Sequence, residues 1–292
     1  MGIPTVERQA LSGGDLAARH EAPTGRSTER RFWLAISLLA VISAIFVLFP
    51  ALDIRVAALF YAGDDFPASR SPLLGALRGF GTNLVFVICV VLIASLATKL
   101  ARPSRPMPIR ASKVWYLLAT LALGPGLIVN GVLKSLWGRP RPVQVDLFGG
   151  GAPFETAWKI SGACHSNCSF SSGEAASAFW LLGLVLLAPP RHRRALAMAI
   201  GLVALALSLN RLAFGGHFLS DMLISWSLML VVMLGLARVM LEEPFRSRID
   251  AATESALLKV ALASQPAFRR IARRWPSGQG SSSGLDRIGP ST

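Results

Sequence analysis

The chain has 292 residues, of which 52% are hydrophobic, and its mean hydropathy is +0.51. A soluble domain of this length does not need so many apolar residues, so the composition favours an integral membrane protein. The formal net charge of +14 has no accompanying nucleic-acid-binding motif, and this argues against a nucleic acid as partner.

Six apolar stretches predict six membrane spans. The first three are about 20 residues long, enough to cross the hydrocarbon core as helices. The last three are shorter and reach that length only if charged residues at one end lie at membrane depth. The sequence therefore predicts an all-α, polytopic membrane helical bundle, and buried helices of a soluble domain are the less favoured alternative. The predicted spans are Phe32–Leu52, Gly79–Thr98, Val114–Leu133, Ala175–Pro190, Ala195–Asn210 and Met222–Ala237.

Lysine and arginine residues concentrate before span 1, between spans 2 and 3, between spans 4 and 5, and after span 6. With six crossings all four segments fall on one side of the membrane. The positive-inside rule makes that side, and with it both termini, cytoplasmic. Because a polar stretch precedes span 1 and no cleavage pattern ends it, we expect span 1 to remain as an anchor.

Composition divides the chain into three segments. Residues 1–31 are predicted to be a largely disordered cytoplasmic tail, and residues 32–241 the membrane domain. Residues 242–292 are predicted to be a basic cytoplasmic segment, disordered towards its end. Within it, residues 250–274 suit either a basic helix on the inner membrane surface or a solvated helix.

Three polar clusters fall at the outer ends of the predicted spans. Each alone has a simple explanation, as an interface anchor, a helix cap or a structural histidine. Ionisable residues at membrane depth are nevertheless candidates for function, and the coincidence of three clusters on one side favours a site. The clusters are Lys134 and Arg141 after span 3, Ser172, Gly173 and Glu174 before span 4, and Arg211, His217 and Asp221 after span 5.

The cationic residues and the turn before span 4 indicate a phosphate site. Lys134, Arg141 and Arg211 have no matching acidic cluster nearby, and phosphate satisfies several cations at once. Ser172 and the backbone N–H groups around Gly173 form the N-terminus of span 4, which is a favourable position for an anion.

His217 and Asp221 supply a reactive pair. Asp221 follows His217 by one helical turn, where a carboxylate can fix the imidazole tautomer and stabilise its cation. His217 can then act as nucleophile or base. Cations, an anion-binding helix end and an oriented histidine together predict phosphoryl transfer.

The order and spacing of these residues resemble the signature of the type 2 phosphatidic acid phosphatase family, which is related in fold to the vanadium-dependent haloperoxidases. The family pattern is K-x6-RP, then PSGH, then SR-x5-H-x3-D. The resemblance implies a helical bundle and a phosphatase that needs neither metal nor cofactor and forms a phospho-histidine intermediate. The matching residues are Lys134, Arg141, Pro142, Ser172, Gly173, Arg211, His217 and Asp221.

The resemblance also implies roles for these residues. The three cations would hold the phosphate oxygens, and Ser172 with the Gly173 backbone would help to stabilise the transition state. His217 would attack phosphorus, with Asp221 orienting it, and hydrolysis of the phospho-enzyme would release phosphate. Arg139, which lies between motif positions, has no assigned role; we expect a contact to a neighbouring side chain or a lipid headgroup.

Three positions depart from the family pattern. Ser171 replaces the motif proline, which loosens the turn, and Asn210 replaces the motif serine but can still donate a hydrogen bond. Glu174 replaces the histidine that is thought to protonate the leaving group. Burial would favour its protonated form, whereas three nearby cations favour the carboxylate. Glu174 is therefore a general acid, a ligand of a substrate amine or hydroxyl, or the mark of a weakened phosphatase.

Two of the three cysteines, Cys164 and Cys168, lie in the outer loop immediately before the Ser-Ser-Gly-Glu turn. Facing an oxidising compartment, they are predicted to form a disulfide that pins the turn, with free thiols as the next alternative. A metal site with His165 is the last alternative, because these residues fall short of four zinc ligands. Cys89 in span 2 is predicted to be inert packing.

An outward-facing site at helix ends suits an amphiphile whose phosphate lies at the membrane interface. The predicted partners are therefore a phospholipid or lipid-linked phosphate and the membrane, and the predicted location is the inner membrane of a bacterium, with the site facing the periplasm or exterior. Lipid A and undecaprenyl diphosphate are equally favoured over phosphatidylglycerophosphate and phosphatidic acid. The alternatives are a phosphotransferase acting between lipids and a non-catalytic lipid-binding or transport protein. A haloperoxidase is disfavoured because those enzymes are soluble.

Overall fold

A computed structural model describes residues 25–274 of the chain, and the side chains of residues 27–263. Of the tail predicted over residues 1–31, residues 1–24 lie outside the described residues, and residues 25–31 are helical. The predicted disorder from residue 275 onward also lies outside the described residues. Within the described range the chain is helical, and its extended pairing is limited to two isolated bridges, Ala62 with Asp65 and Val145 with Ala152. The predicted all-α class is confirmed.

The helices are numbered here in chain order. They are α1 (Gly25–Leu48), α2 (Ala51–Ala58), α3 (Pro72–Ala101), α4 (Ala111–Leu136), α5 (Gly173–Trp180), α6 (Arg193–Ala213), α7 (Leu219–Met240) and α8 (Phe245–Arg274). Short 3-10 turns lie at Pro67–Arg70, Pro142–Gln144, Asp146–Phe148, Leu181–Leu187 and Pro190–His192.

Five helices, α1, α3, α4, α6 and α7, are long and apolar enough to cross a membrane. The remaining predicted span is a shorter apolar helix, Gly173–Leu187, made of α5 and its 3-10 continuation. Helices α6 and α7 exceed the predicted spans because they include the charged residues Arg211 and Asp221 at their ends. The polytopic helical bundle is therefore as predicted, with charges at the helix ends providing the missing length.

The prediction that span 1 extends to Leu52 is wrong. Helix α1 ends at Leu48, and Pro50 starts the separate helix α2 as its N-terminal cap. Proline lacks a backbone N–H and disfavours a helical conformation in the residue before it, so the first helix stops there. The break turns α2 across the end of the bundle and brings it against α7.

Helix α7 is central in the bundle and packs against α1, α2, α4 and α5. Between α4, α5 and α7, the buried side chains of Leu117, Trp180 and Met229 form part of the largest apolar cluster. The indole N–H of Trp180 is satisfied there, because it donates to the Leu117 carbonyl at 2.9 Å. At Gly124 an added Cβ would lie 2.4 Å from the Met229 sulfur, so α4 and α7 approach closely only because no side chain intervenes.

Helix α8 packs against α3 and α4 at the opposite end of the bundle from α2. Lys99 Nζ lies 2.5 Å from Glu254 Oε1, and the Ser112 backbone N–H donates to Asp250 at 2.7 Å. The segment predicted as either a surface-bound or a solvated helix is therefore helical and docked on the bundle through polar contacts.

The loop after α4 depends on Gly138, for which we predict a severe effect of substitution. Gly138 has φ +64°, and an added Cβ would lie 1.8 Å from the Ser161 carbonyl oxygen. Gly63 has a similar φ of +67° with no atom within 4 Å of an added Cβ, so it is a matched control. Gly63→Ala should lower the free energy of unfolding by about 1–2 kcal/mol, the cost of the left-handed conformation alone. Gly138→Ala should cost clearly more in thermal unfolding of the purified protein, and equal losses would contradict the steric argument.

Candidate active site

The polar residues singled out from the sequence meet at the end of the bundle that carries α2. Lys134 lies in the last turn of α4, and Glu174 in the first turn of α5. Arg211 lies in the last turn of α6, and Asp221 in the first turn of α7. Because successive helices run in opposite directions, residues distant in sequence converge on one face.

A π-helical segment in α4, Ala122–Leu133, sets the position of Lys134. Pro125 within it has no N–H to donate, and its carbonyl accepts a hydrogen bond from the Asn130 side chain at 2.7 Å. At the end of the segment the Lys134 N–H reaches back five residues to the Val129 carbonyl. Such widening rotates the following residues relative to a regular helix and is frequent at functional sites.

Ser172 and Gly173 form the start of α5. Ser172 is completely buried, and its hydroxyl accepts from the Ala175 N–H at 3.2 Å as an N-terminal cap. At Gly173 an added Cβ would lie 2.6 Å from Asn130 Oδ1, so only glycine allows α5 to approach α4 here. The helix N-terminus is thereby held beside Lys134.

Four cations surround this helix end, one more than predicted. Lys134, Arg141 and Arg211 are close enough to interact electrostatically with one another and with Arg78 of α3. Burial lowers the pKa of Arg141, and the neighbouring Arg78 adds to that effect. The arrangement is a concentration of positive charge that an anion would relieve.

Glu174 is the carboxylate that attracts these cations. Arg78 donates to Glu174 Oε1 from Nη2 at 2.9 Å and from Nε at 3.1 Å, and Arg211 Nε lies 3.2 Å from Oε2. The sequence reasoning missed Arg78 because it began span 2 at Gly79, directly after the charge. The sequence did contain a signal for Arg78. Like the residues that were identified, it is an ionisable residue at the end of a membrane helix.

A cavity of about 220 Å³ opens beside Glu174 between α3, α4, α5 and α6. Lys134 and Asn130 contribute polar groups to its lining, and Val85 and Leu207 contribute apolar side chains. The cavity therefore offers both polar and apolar surface to a molecule bound at the cation cluster.

His217 is 2% exposed and is held by a backbone carbonyl. Its Nδ1 lies 2.8 Å from the Ser169 carbonyl oxygen and 3.8 Å from Asp221 Oδ2. Because a carbonyl oxygen only accepts, Nδ1 carries the hydrogen and Nε2 keeps its lone pair. Burial lowers the pKa of His217, which favours the neutral, nucleophilic form. Asp221 lies at ion-pair distance, while the direct orienting bond comes from Ser169.

Ser169, which the sequence reasoning did not single out, links Arg139 to the pair formed by His217 and Asp221. Its backbone N–H donates to the Arg139 carbonyl at 2.8 Å, and its hydroxyl donates to Asp221 Oδ2 at 2.5 Å. Its carbonyl accepts from His217. Nothing in its sequence position distinguishes it from the neighbouring serines, so only the folded loop reveals this role.

Arg139 is completely buried between two carboxylates. It donates to Asp221 Oδ1 at 2.7 Å and to Asp53 Oδ2 at 2.8 Å, and its Nε donates to the Glu155 carbonyl at 2.8 Å. Burial opposes the charged guanidinium, but the two carboxylates outweigh it and raise the pKa of Arg139. The expected contact to neighbouring side chains is thus an ion-pair network that includes Asp53 of α2.

Cys164 and Cys168 are joined in a disulfide, and Cys89 in α3 is a free thiol. The loop that the disulfide closes contains Asn167. The Asn167 carbonyl accepts from Arg141 Nε at 3.0 Å and from Nη2 at 2.7 Å. The disulfide loop therefore holds one of the four cations in place.

No group of three or more His, Cys, Asp or Glu side chains suited to a metal ion occurs among the residues that the structure describes. Metal independence stays a prediction.

Residues 113–244, which include every motif described above, match the profile of the PAP2 superfamily. Over 215 residues the chain is 39% identical to a lipid A 4'-phosphatase of Rhizobium leguminosarum, covering 69% of this chain and 91% of that protein. The chain belongs to the PAP2 superfamily. The resemblance stated from the three motifs is thereby confirmed, and the protein is a multi-pass membrane phosphatase of this superfamily.

Two further lipid A 4'-phosphatases are similar to this PAP2 chain. The one from Rhizobium etli is 39% identical over 215 residues, covering 69% of this chain and 82% of that protein. The one from Francisella tularensis subsp. novicida is 35% identical over 196 residues, covering 65% and 88%. Among solved structures, a PAP2-type phosphatidylglycerolphosphate phosphatase of Bacillus subtilis matches with a TM-score of 0.43 at 20% identity, covering 72% of this chain and 93% of that one.

Ser169 should contribute strongly to the stability of this PAP2 site. Ser169→Ala removes the hydroxyl that donates to buried Asp221, and an under-satisfied buried carboxylate costs about 1–3 kcal/mol. Ser255→Ala is the matched control, because Ser255 is exposed and donates to the Ala252 carbonyl at 3.0 Å. Thermal unfolding should show a clear decrease in midpoint only for Ser169→Ala. A decrease of similar size for both variants would contradict the assigned hydrogen bond.

Proposed function

We propose that this PAP2 phosphatase hydrolyses the phosphomonoester at the 4' position of lipid A, through a phospho-His217 intermediate and without a metal or cofactor. The observation that carries the proposal is the buried His217, whose Nδ1 is bonded to Ser169 so that Nε2 is the nucleophilic atom, next to a cluster of four cations. A nucleophile beside an anion site is the arrangement that phosphoryl transfer requires.

The relatives support lipid A as the substrate. Three lipid A 4'-phosphatases match this chain over 82–91% of their own lengths. They favour lipid A over undecaprenyl diphosphate, which the sequence alone left equally possible. The cavity beside Glu174, lined by both polar and apolar side chains, is consistent with a phosphorylated amphiphile at the membrane interface.

We further propose that the site faces the periplasm or exterior across the bacterial inner membrane, with both termini cytoplasmic. The site lies at one end of the bundle, where α4 and α6 end and α5 and α7 begin. The lysine- and arginine-rich segments between α3 and α4, between α5 and α6, and after α7 lie at the other end. The positive-inside rule favours the cytoplasm for that second end.

Lys134, Arg141 and Arg211 are proposed to bind the non-bridging phosphate oxygens, with Ser172 and the Gly173 backbone completing the site. The negatively charged oxygens of a bound phosphate would face the N-terminus of α5, where the first backbone N–H groups have no partner within the helix. As phosphorus becomes five-coordinate, the same donors would stabilise the charge on its equatorial oxygens.

In the first step His217 Nε2 attacks phosphorus, and the bond from phosphorus to the 4'-oxygen breaks. The products are phospho-His217 and the sugar alcohol, whose oxygen takes up one proton. In the second step a water oxygen attacks phosphorus and the phosphorus–nitrogen bond breaks. The bonding electrons return to Nε2, so His217 is again neutral, and inorganic phosphate leaves. The water's proton passes to the Glu174 carboxylate left by the first step. Asp221 stabilises the positive imidazole that forms in the first step.

Glu174 is proposed to donate the proton to the 4'-oxygen. In the structure its carboxylate bonds to Arg78 and Arg211. A substrate phosphate that binds Arg211 displaces the carboxylate from it and brings further negative charge close by. The displaced carboxyl group is then available to the 4'-oxygen as a general acid.

The proposed substrate is tested by phosphate release from purified protein in detergent micelles. Lipid A phosphorylated at the 4' position should be hydrolysed with a kcat/KM at least about 100-fold above that of undecaprenyl diphosphate, phosphatidylglycerophosphate or phosphatidic acid, a ratio worth about 2.7 kcal/mol. His217→Ala should lower phosphate release by about 10³-fold or more, because no other group replaces the nucleophile.

Each outcome of these assays of substrates and variants decides one part of the proposal. A preference for another lipid phosphate would overturn lipid A but keep the phosphatase. Full activity in His217→Ala would overturn the phospho-histidine. Appearance of the phosphate on an added acceptor lipid, in place of inorganic phosphate, would identify a phosphotransferase.

The acid role of Glu174 predicts a dependence on the leaving group. Glu174→Gln should slow release of the poorly leaving sugar alcohol by about 10²-fold or more. It should slow cleavage of p-nitrophenyl phosphate much less, because that leaving group needs no proton. Glutamine retains the size of the side chain and can still accept from Arg78.

Arg78→Ala is the control for this experiment, because it removes the partner of Glu174 but leaves its carboxyl group. It should not slow release of the sugar alcohol selectively, because the proton donor is still present. Equal slowing of both substrates by Glu174→Gln would contradict the acid role and favour a binding role for Glu174.

A further inference from the structure

We propose that Asp53 is a positioning residue of the phosphatase reaction. By sharing Arg139 with Asp221, Asp53 leaves Asp221 with more negative charge to stabilise the His217 cation. The inference rests on the proposed function, in which His217 is the nucleophile. Asp53 lies in α2, well before residue 113 where the family match begins, and none of the three motifs includes it.

The contacts of Asp53 favour the carboxylate form, against the burial that raises the pKa of Asp53. Its Oδ1 accepts from the Ser220 N–H at 2.8 Å. Its Oδ2 accepts from the Ser220 hydroxyl at 2.6 Å and from Arg139 Nη2 at 2.8 Å. Both oxygens are therefore occupied by donors, and a protonated carboxyl group would have to give up one of these bonds.

Arg139 is shared between Asp53 and Asp221, and the sharing limits how strongly it neutralises either one. All three side chains are at most 1% exposed, so water does not screen them. Together they carry one net negative charge. That charge lies next to His217, whose Nδ1 is 3.8 Å from Asp221 Oδ2.

The charged groups that face His217 come from three helices. Asp221 of α7 favours its cation, whereas Arg211 of α6 and Lys134 of α4 disfavour it. The Ser169 carbonyl fixes its Nδ1 hydrogen in either protonation state. Arg211 and Lys134 disfavour the imidazolium. The net negative charge of the Asp53–Arg139–Asp221 network offsets their effect and stabilises it. Asp53 supplies that net charge, since Asp221 alone would be balanced by Arg139.

Asp53→Asn tests the proposal, because it removes the charge with little change in size. Without it, Arg139 neutralises Asp221, and the positive imidazole loses its stabilisation. The His217 cation should then form only at lower pH. The acid limb of kcat/KM should move down by about half a pH unit or more. Because the positive imidazole also develops during phosphorylation, kcat should decrease about tenfold, with KM little changed.

The His217 titration is also measured without substrate, by NMR of protein labelled with ¹³C-histidine, with His217→Ala identifying the signal. Its midpoint should move to lower pH in Asp53→Asn by the same amount as the kinetic limb. An unmoved midpoint in a folded Asp53→Asn protein would overturn the inference, even if stability decreased.

Two control variants separate charge from stability. Asp64→Asn removes an exposed carboxylate from the neighbouring loop and should leave the titration unchanged. Ser225→Ala removes a buried hydroxyl that donates to the Asp221 carbonyl at 2.6 Å, so it should destabilise the protein without moving the titration. A shift in either control equal to that in Asp53→Asn would overturn a specific role for Asp53.

Should Asp53→Asn fail to fold, Ser220→Ala gives the same information. It removes the hydroxyl donor to Asp53 Oδ2, which favours protonation of Asp53 in acid and shifts the His217 midpoint in the same direction by a smaller amount. An unchanged midpoint would overturn the inference. If wild-type protein releases no phosphate from any lipid but the midpoints shift as expected, the proposed function fails and the Asp53 coupling stands.

Discussion

The end of this PAP2 protein that carries the candidate active site depends on one buried guanidinium. Arg139 connects α2, the loop after α4 and the start of α7 through Asp53, the Glu155 carbonyl and Asp221. Burying a cation costs several kcal/mol unless partners compensate it, and here two carboxylates do so. Removal of either carboxylate or of the guanidinium would leave a buried charge without its partner. The loops around the site are therefore held by buried ion pairs as well as by aromatic packing, such as that of Phe170 against Trp137 and Trp158.

The short apolar stretches and the candidate site have the same cause, which is that charged residues lie at the ends of the membrane helices. The apolar part of predicted span 4 is too short to cross a membrane as a regular helix, and α6 and α7 reach full length only by including Arg211 and Asp221. Charges in such positions need partners, which the fold supplies from loops and from neighbouring helix ends. The π-helical segment of α4 adds to this, because it widens the helix immediately before Lys134.

Residues related by short, regular spacings could be predicted from the sequence, and residues related only by folding could not. His217 and Asp221 lie one turn apart, and Lys134 and Arg141 belong to one motif, so local pattern was sufficient. Asp53 and Ser169 gave no such signal, because their partners lie 86 and 52 residues away in sequence. The helical class and most spans followed from composition, whereas the end of α1 did not, because a single proline overrode an apolar stretch.

The glutamate at position 174 is best understood together with Arg78. Four cations lie close together and repel one another, and the Glu174 carboxylate at the helix end offsets that repulsion. A histidine, as in the family pattern, carries no negative charge and could not form ion pairs with Arg78 and Arg211 as Glu174 does. The two residues therefore form a unit, in which the fourth cation requires the carboxylate and the carboxylate is held in place by the cation. Reinstating the motif histidine alone would remove the partner of two arginines without removing the extra charge.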